Sequence, residues 1–236
     1  MMEMIRVFHG SDHIVKHPAY LGGKADNDYG NGFYTTEYEE RARSWAALNG
    51  NPDSSIVNIY QINIHDLNIL DLNDYGVLAW IVEVAANRGT EQEATAIVAE
   101  RLIANYRIDT TECDIIKGYR ADDSYTQVIE AFLLNQINLY EVERLFYKGS
   151  LGNHIFLKSE EAFRRIEWTD SYMVALQDSD KQADYFARNE VNRFLSERMK
   201  RLLLESYEVP GITARYAIQN GLIYNKEGNC YEQPGV

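Results

Sequence analysis

The order of short strands and longer helices along the chain is the feature that most constrains its fold. Apolar residues alternate with polar ones in short segments and recur at helical spacing in longer segments. The predicted strands are residues 4–8, 33–36, 55–64, 67–72, 113–119 and 154–158. The predicted helices are residues 37–48, 74–87, 90–106, 122–134, 138–146, 159–166, 178–208 and 212–221. Helices inserted between short strands, without an internal repeat, predict an α+β fold.

A long segment without apolar periodicity follows the first predicted strand. Residues 11–32 are rich in Gly, Asp and Asn and contain Pro18, which favours an irregular loop. A loop of this length is uncommon inside a compact domain and often carries function. We therefore expect this loop to belong to a functional site.

Charge and cysteine content exclude several classes of protein. The 236 residues carry a formal net charge of −13, so the chain is not a general nucleic-acid binder and anionic membranes would repel it. No apolar run approaches the ~20 residues of a membrane span, and the first residues lack the apolar core of a signal peptide. Cys113 and Cys230 are too few for a disulfide framework or a zinc site. We expect a cytoplasmic protein without a metal cofactor.

Three short motifs place chemically useful residues at the ends of predicted strands. His9-Gly10-Ser11 ends the first strand. The segment 28–36 has glycines at positions 30 and 32, then Phe33-Tyr34, and then leads into a helix. Leu151-Gly152-Asn153-His154 forms a turn that enters a late strand.

This ordered set resembles the ADP-ribosyltransferase fold, in its diphtheria-toxin-like and poly(ADP-ribose)-polymerase-like branch with a His-Tyr-Glu signature. It is more similar still to an uncharacterised bacterial domain family of that clan. Members of that family share a His-Gly-Ser opening, a Tyr-Gly-x-Gly-Phe-Tyr stretch, an Asp-Ile-Ile-x-Gly…Ala-Asp-Asp segment and a Leu-Gly-x-x turn. The matching residues here are 9–11, 29–34, 114–123 and 151–154.

The resemblance covers roughly residues 4–168 and implies the domain organisation. Residues 1–168 would form a core of small split sheets, with a helical insertion around 74–146. Residues 169–236 would form a helical C-terminal extension that packs on this domain or on a partner.

The resemblance also implies an activity, the transfer of ADP-ribose from NAD to an unknown macromolecule, in a bacterial and toxin-like setting. Gly10 would hold the nicotinamide carboxamide through its backbone, and His9 would hydrogen-bond the adenosine-side ribose. Tyr34 would stack on the nicotinamide ring. Tyr20 and Gly32 complete the implied NAD-binding set.

The third motif departs from the family pattern. Cleavage of the bond between nicotinamide and ribose passes through an oxocarbenium-like transition state, which a nearby negative charge stabilises. The family has Glu at the start of this strand, whereas this chain has His154. A neutral imidazole can orient a ribose hydroxyl but supplies no such charge. Asp123, beside Asp122, is the candidate carboxylate, although capping of the following helix would also explain it.

Three alternatives remain open. The chain could be a catalytically inactive binding module with the same fold, because His154 replaces Glu. It could be a metal-dependent hydrolase that uses His9, His13 and His17, although Gly10 and Pro18 argue against the helix that would align them. The helix at 178–208 could serve as a surface for a homo-oligomer or partner, with Arg198–Arg201 on its solvated face.

Overall fold

The structure is a computed structural model that describes residues 3–49, 54–119, 123–149, 153–174, 178–205 and 207–235. Within helices, the side chains of residues 48–49, 123–125, 147–149 and 178–188 lie outside this description. The strands are β1 Met4–Ser11, β2 Phe33–Thr35, β3 Ile56–Asn63, β4 Ile69–Asp71, β5 Ile115–Tyr119, β6 Asn153–Leu157, β7 Ile166–Met173, β8 Ile223–Asn225 and β9 Cys230–Glu232. The helices are α1 Glu39–Asn49, α2 Val77–Arg88, α3 Glu93–Tyr106, α4 Asp123–Leu133, α5 Leu139–Gly149, α6 Glu160–Arg164, α7 Asp178–Leu204 and α8 Ala214–Asn220, with a short 3-10 helix at Leu72–Tyr75. The predicted α+β fold is confirmed.

Two small sheets carry the centre of the molecule. One has the strand order β1-β3-β7, and the other has the order β2-β6-β5-β4. Neighbouring strands are antiparallel except for β4 and β5, which run parallel. An antiparallel bridge between Phe8 and Thr36 links the two sheets. The remaining strands, β8 and β9, form a separate hairpin.

Side chains alternate between the two faces of each strand, and this alternation separates three apolar clusters. The first lies between the two sheets and contains Val7, Tyr60, Ile62, Ile115, Ile155, Leu157 and Ala162. The second joins β1 and β3 to α1 and contains Phe8, Ala42, Ala46, Val57, Ile59 and Val174. The third and largest packs helices α2–α5, α7 and α8 on the other face of β5 and β6, around Ile116 and Phe156.

Strand β7 is the element that the sequence pattern did not predict. It pairs with β3 from Ile56 to Ile62, with an irregularity between Ile59 and Tyr60. Polar residues at 167 and 169–171 hide the alternation, since one side of this edge strand faces solvent. The predicted domain boundary at residue 168 falls inside β7.

The long helix α7 packs against α1, α4 and α5 of its own chain. It ends at Leu204, four residues before the predicted end. The interpretation of Arg198 as part of a solvated face is wrong. Its side chain is buried, forms an ion pair with Glu141 on α5 and donates to the hydroxyl of Tyr207.

Helix α1 begins at Glu39, two residues later than predicted, because Thr36 pairs with Phe8. No helix in the described ranges is both long and apolar enough to cross a membrane.

Candidate functional site

His9 lies near the end of β1, and its ring contacts the main chain of β2. Its Nδ1 is 2.8 Å from the carbonyl oxygen of Tyr34. Because a carbonyl oxygen only accepts hydrogen bonds, Nδ1 must carry the proton. Burial lowers the pKa of His9 below its ordinary value, although the bond to Tyr34 opposes this effect. The neutral imidazole therefore has its lone pair on Nε2, which can accept a hydrogen bond.

The backbone pairing between β1 and β2 stops after a single bridge. The amide of Phe8 donates to the carbonyl of Thr36 at 2.8 Å, and the amide of Thr36 donates back at 3.0 Å. In an antiparallel ladder the next pair of this kind would join Gly10 to Tyr34. Among the described residues no backbone hydrogen bond joins those two, and the Tyr34 carbonyl accepts from His9 instead.

Gly10 consequently has backbone groups that face away from β3. Alternation along β1 directs its N–H and C=O to the same side as those of Phe8, toward Tyr34. A side chain at this position would meet α1, since a Cβ on Gly10 would lie within 3.0 Å of the carbonyl oxygen of Ala42 and the amide nitrogen of Ala46. Helix packing thus explains why a glycine stands here, independently of any ligand.

The phenol of Tyr34 fastens the end of the long loop. Its hydroxyl donates to the carbonyl of Gly30 at 2.9 Å and accepts from the amide of Tyr29 at 2.9 Å. Its ring packs on Phe156, with ring centres 4.7 Å apart, and edge-on against His154 at 5.1 Å. Burial is the main reason why the pKa of the phenol lies well above its usual value. Tyr34 is therefore neutral and rigidly held.

The structure brings the three motifs together, but on two faces of β2. Phe33 and Tyr34 project to opposite faces of this strand. Phe33 packs against the ring of His9 at 4.6 Å, whereas Tyr34 packs against His154. The main chain of Tyr34 thus lies between the rings of His9 and His154.

The other predicted residues have different surroundings. Gly32 is buried against β6, where a Cβ would come within 3.0 Å of the carbonyl of Leu157 and the ring of Phe156. Tyr20 is exposed, and its ring packs edge-on against Phe163 at 5.5 Å. Asp123 begins α4, but its side chain lies outside the described structure, as do residues 120–122 and 150–152.

Asp28 and Arg88 belong to the site, although the sequence did not predict them. Asp28 is 5% exposed, and its Oδ1 lies 3.0 Å from Nη1 of Arg88. Its Oδ2 lies 3.9 Å from Nε2 of His154. The available sequence signal for Asp28 was its position directly before the Tyr-Gly-x-Gly-Phe-Tyr stretch; Arg88 had none, since it lies 60 residues away.

The histidines proposed as metal ligands have other neighbours. Nδ1 of His9 binds Tyr34, and Nδ1 of His13 lies 2.5 Å from the carboxylate of Asp12. Within the described residues, no three His, Cys, Asp or Glu side chains are grouped as metal ligands would be. The metal-hydrolase alternative gains no support from this arrangement.

Comparison with known proteins identifies one family. The family model described as "Protein of unknown function (DUF3990)" matches residues 5–168, a segment that contains His9, Tyr34 and His154. Searches of curated proteins and of solved structures gave no match. Because the family model covers more than half of the sequence, the chain belongs to the DUF3990 family.

Proposed function

We propose that this chain is an ADP-ribosyltransferase-like protein that takes ADP-ribose from NAD and transfers it to a macromolecule. The observation that supports the proposal is the interrupted pairing of β1 and β2 at Gly10 and Tyr34. A primary carboxamide has one N–H donor and one C=O acceptor in the arrangement of a peptide group. The carboxamide of nicotinamide can therefore pair with the outward backbone groups of Gly10 and continue the ladder.

The tautomer of His9 suits a ribose hydroxyl. Its Nδ1–H is occupied by the Tyr34 carbonyl, and its Nε2 carries the lone pair. A hydroxyl of the bound nucleotide would donate to Nε2. In the proposed site His9 binds and orients the sugar, and it needs no change of protonation to do so.

Tyr34 supplies a fixed aromatic surface. Both hydrogen-bonding positions of its hydroxyl are satisfied by residues 29 and 30, so the ring cannot turn without breaking them. An aromatic face attracts a cation such as the nicotinamide ring of NAD. Release of neutral nicotinamide removes that attraction and favours product departure.

Isothermal calorimetry and thermal shift with NAD test this proposal. We expect NAD to raise the melting temperature of the wild-type protein and His9→Ala to weaken binding by about tenfold or more, which corresponds to ~1.4 kcal/mol. Tyr34→Ala should also weaken binding. His13→Ala and Tyr140→Ala, both at exposed positions, are the matched controls and should bind as wild type. Absence of any effect of millimolar NAD on a folded wild-type protein would contradict the proposal.

A binding module without catalysis is the second candidate, and the start of β6 favours it. Asn153 and His154 occupy this position, so this end of the strand carries no carboxylate. This candidate predicts that NAD binds but that no nicotinamide is released. Chromatographic measurement of nicotinamide separates the two, and release that first appears in His154→Glu would support the binding module.

A further inference from the structure

We propose that Asp28 is a positioning residue that, balanced by Arg88, holds the imidazole of His154 in its protonated form against the edge of the Tyr34 ring. This inference deepens the proposed function and rests on it only for the identity of the ligand at Tyr34. The contacts among Asp28, Arg88, His154 and Tyr34 stand on the structure alone.

The carboxylate of Asp28 divides its two oxygens between two elements. Oδ1 lies 3.0 Å from the guanidinium of Arg88, in the last turn of α2. Oδ2 lies 3.9 Å from Nε2 of His154, at the start of β6. Asp28 is 5% exposed, so water screens neither contact effectively. The carboxylate thus connects α2 electrostatically to β6.

The main chain around Asp28 is fixed as firmly as its side chain. The amide of Asn87 donates to the carbonyl of Asp28 at 3.3 Å and to the carboxylate of Glu83 at 2.8 Å. Glu83 in turn is held by the guanidinium of Arg107. The next two residues, Tyr29 and Gly30, bind the hydroxyl of Tyr34. Displacement of Asp28 would therefore move both His154 and the phenol of Tyr34.

The charges around His154 set its protonation. The described groups that face its ring are the Asp28 carboxylate and the rings of Tyr29 and Tyr34, with the Arg88 guanidinium on the far side of Asp28. A carboxylate at this distance favours the imidazolium form, whereas Arg88 draws the same carboxylate away and opposes it. Asp28 and Arg88 therefore act on His154 in opposite directions.

Titration of His154 by NMR, with the resonance assigned by loss in His154→Gln, tests this directly. Asp28→Asn should lower the pKa of His154 by about one unit, because the facing negative charge is removed. Arg88→Met should raise it, because the carboxylate is then shared with no other cation. Asp26→Asn, at an exposed position of the same loop, is the matched control and should titrate as wild type. A structural role alone would not move His154 in opposite directions.

The double variant Asp28→Asn/Arg88→Met guards against a folding failure of Asp28→Asn, since it leaves no buried charge unpaired. It should show the lowered pKa of His154. A pKa of His154 that matches wild type in Arg88→Met and in the double variant would overturn the proposal. Calorimetry with NAD separates this result from the proposed function. If wild type does not bind NAD, the proposed function fails and the titration still decides the role of Asp28. If wild type binds NAD, the double variant should bind about tenfold more weakly.

Discussion

The carbonyl oxygen of Tyr34 accepts its hydrogen bond from the side chain of His9, at 2.8 Å, and not from the backbone of Gly10. A side chain has thus replaced the main-chain donor that would extend the pairing of β1 with β2. The exchange satisfies Tyr34 while leaving the Gly10 amide and carbonyl directed at the same gap. One histidine therefore accounts both for the end of the ladder and for the place where a ligand could continue it.

The lowered pKa of His9 predicts a dependence of stability on pH. The unfolded chain, with an ordinary histidine pKa near 6.5, binds the proton more readily than the folded chain. The contribution of His9 is therefore fully present above pH 6.5 and is lost as the pH falls toward the lowered pKa of the folded state. For one proton the slope is at most about 1.4 kcal/mol per pH unit.

Urea unfolding of wild type and His9→Gln between pH 5 and 8 measures this effect. The free energy of unfolding of wild type should fall more steeply below pH 6.5 than that of the variant. His13→Gln, which removes an exposed histidine, is the control and should follow wild type. Parallel curves for wild type and His9→Gln would show that His9 does not titrate differently on folding.

Tyr34→Phe separates the anchoring of the loop from the aromatic surface. The change removes the partner of the Tyr29 amide and of the Gly30 carbonyl, both in buried residues. Because such groups cost free energy when they are left unpaired, we expect a loss of about 1–3 kcal/mol in the free energy of unfolding. The ring itself remains, so NAD binding, if present in wild type, should persist.

Chemical denaturation of Tyr34→Phe beside Tyr140→Phe checks this. Tyr140 is 70% exposed, and its hydroxyl can bind water in both states, so its variant should match wild type. Equal stability of all three proteins would mean that the phenol does not fasten residues 29 and 30.

Gly10→Ala should destabilise the protein through α1. The new methyl group would lie within 3.0 Å of backbone atoms of Ala42 and Ala46, which cannot move without shifting the helix. Overpacking of this kind costs about 1–3 kcal/mol. Thermal unfolding should show the loss, and Met4→Ala, on an exposed part of the same strand, should show little. Because the clash involves the main chain, a second change of Ala42→Gly should not restore stability.

Local signals predicted most of the fold. The alternation in β3 and the apolar spacing of α2 and α3 predicted these elements, because both depend on residues close in sequence. Strand β7 escaped prediction because it is a polar edge strand whose pairing with β3 spans about a hundred residues of chain.

The same limit applied to the site. The motifs predicted that His9, Tyr34 and His154 would lie close together, since each stands at a strand end. The partners that decide their chemistry are distant in sequence. Arg88 is 60 residues from Asp28, and Glu141 is 57 residues from Arg198, so neither ion pair leaves a local pattern. The burial of Arg198 likewise follows from the packing of α7 on α5, which no helical periodicity reveals.

Asn58 should control the first part of the long loop. Its fully buried side chain accepts from the amide of Val15 at 2.8 Å and donates to Ser11 Oγ and to the carbonyl of His13. Asn58→Ala removes all three bonds, and we expect a loss of about 1–3 kcal/mol with faster amide exchange at Val15. Gln61→Ala, exposed on the same strand, should leave that amide protected. Unchanged exchange at Val15 in Asn58→Ala would contradict this role.

The buried ion pair between Arg198 and Glu141 should join α7 to the rest of the chain. Arg198→Met leaves the carboxylate of Glu141, whose side chain is 15% exposed, without its cation. Loss of one partner of a buried pair costs about 3–5 kcal/mol. The second oxygen of Glu141 accepts from the amide of Asn138 at the start of α5, so the damage should extend to that helix.

The double variant Arg198→Met/Glu141→Gln removes both charges while Gln keeps an oxygen for the Asn138 amide. Because the cost of Arg198→Met comes mainly from the stranded charge, the double variant should be more stable than Arg198→Met alone. Arg164→Met is the matched control, since its ion pairs with Glu160 and Glu161 are exposed and worth less than about 1 kcal/mol. Urea unfolding of the four proteins measures the coupling. Additive losses in the double variant would show that Arg198 contributes through packing against Phe194 and Tyr207 and not through its charge.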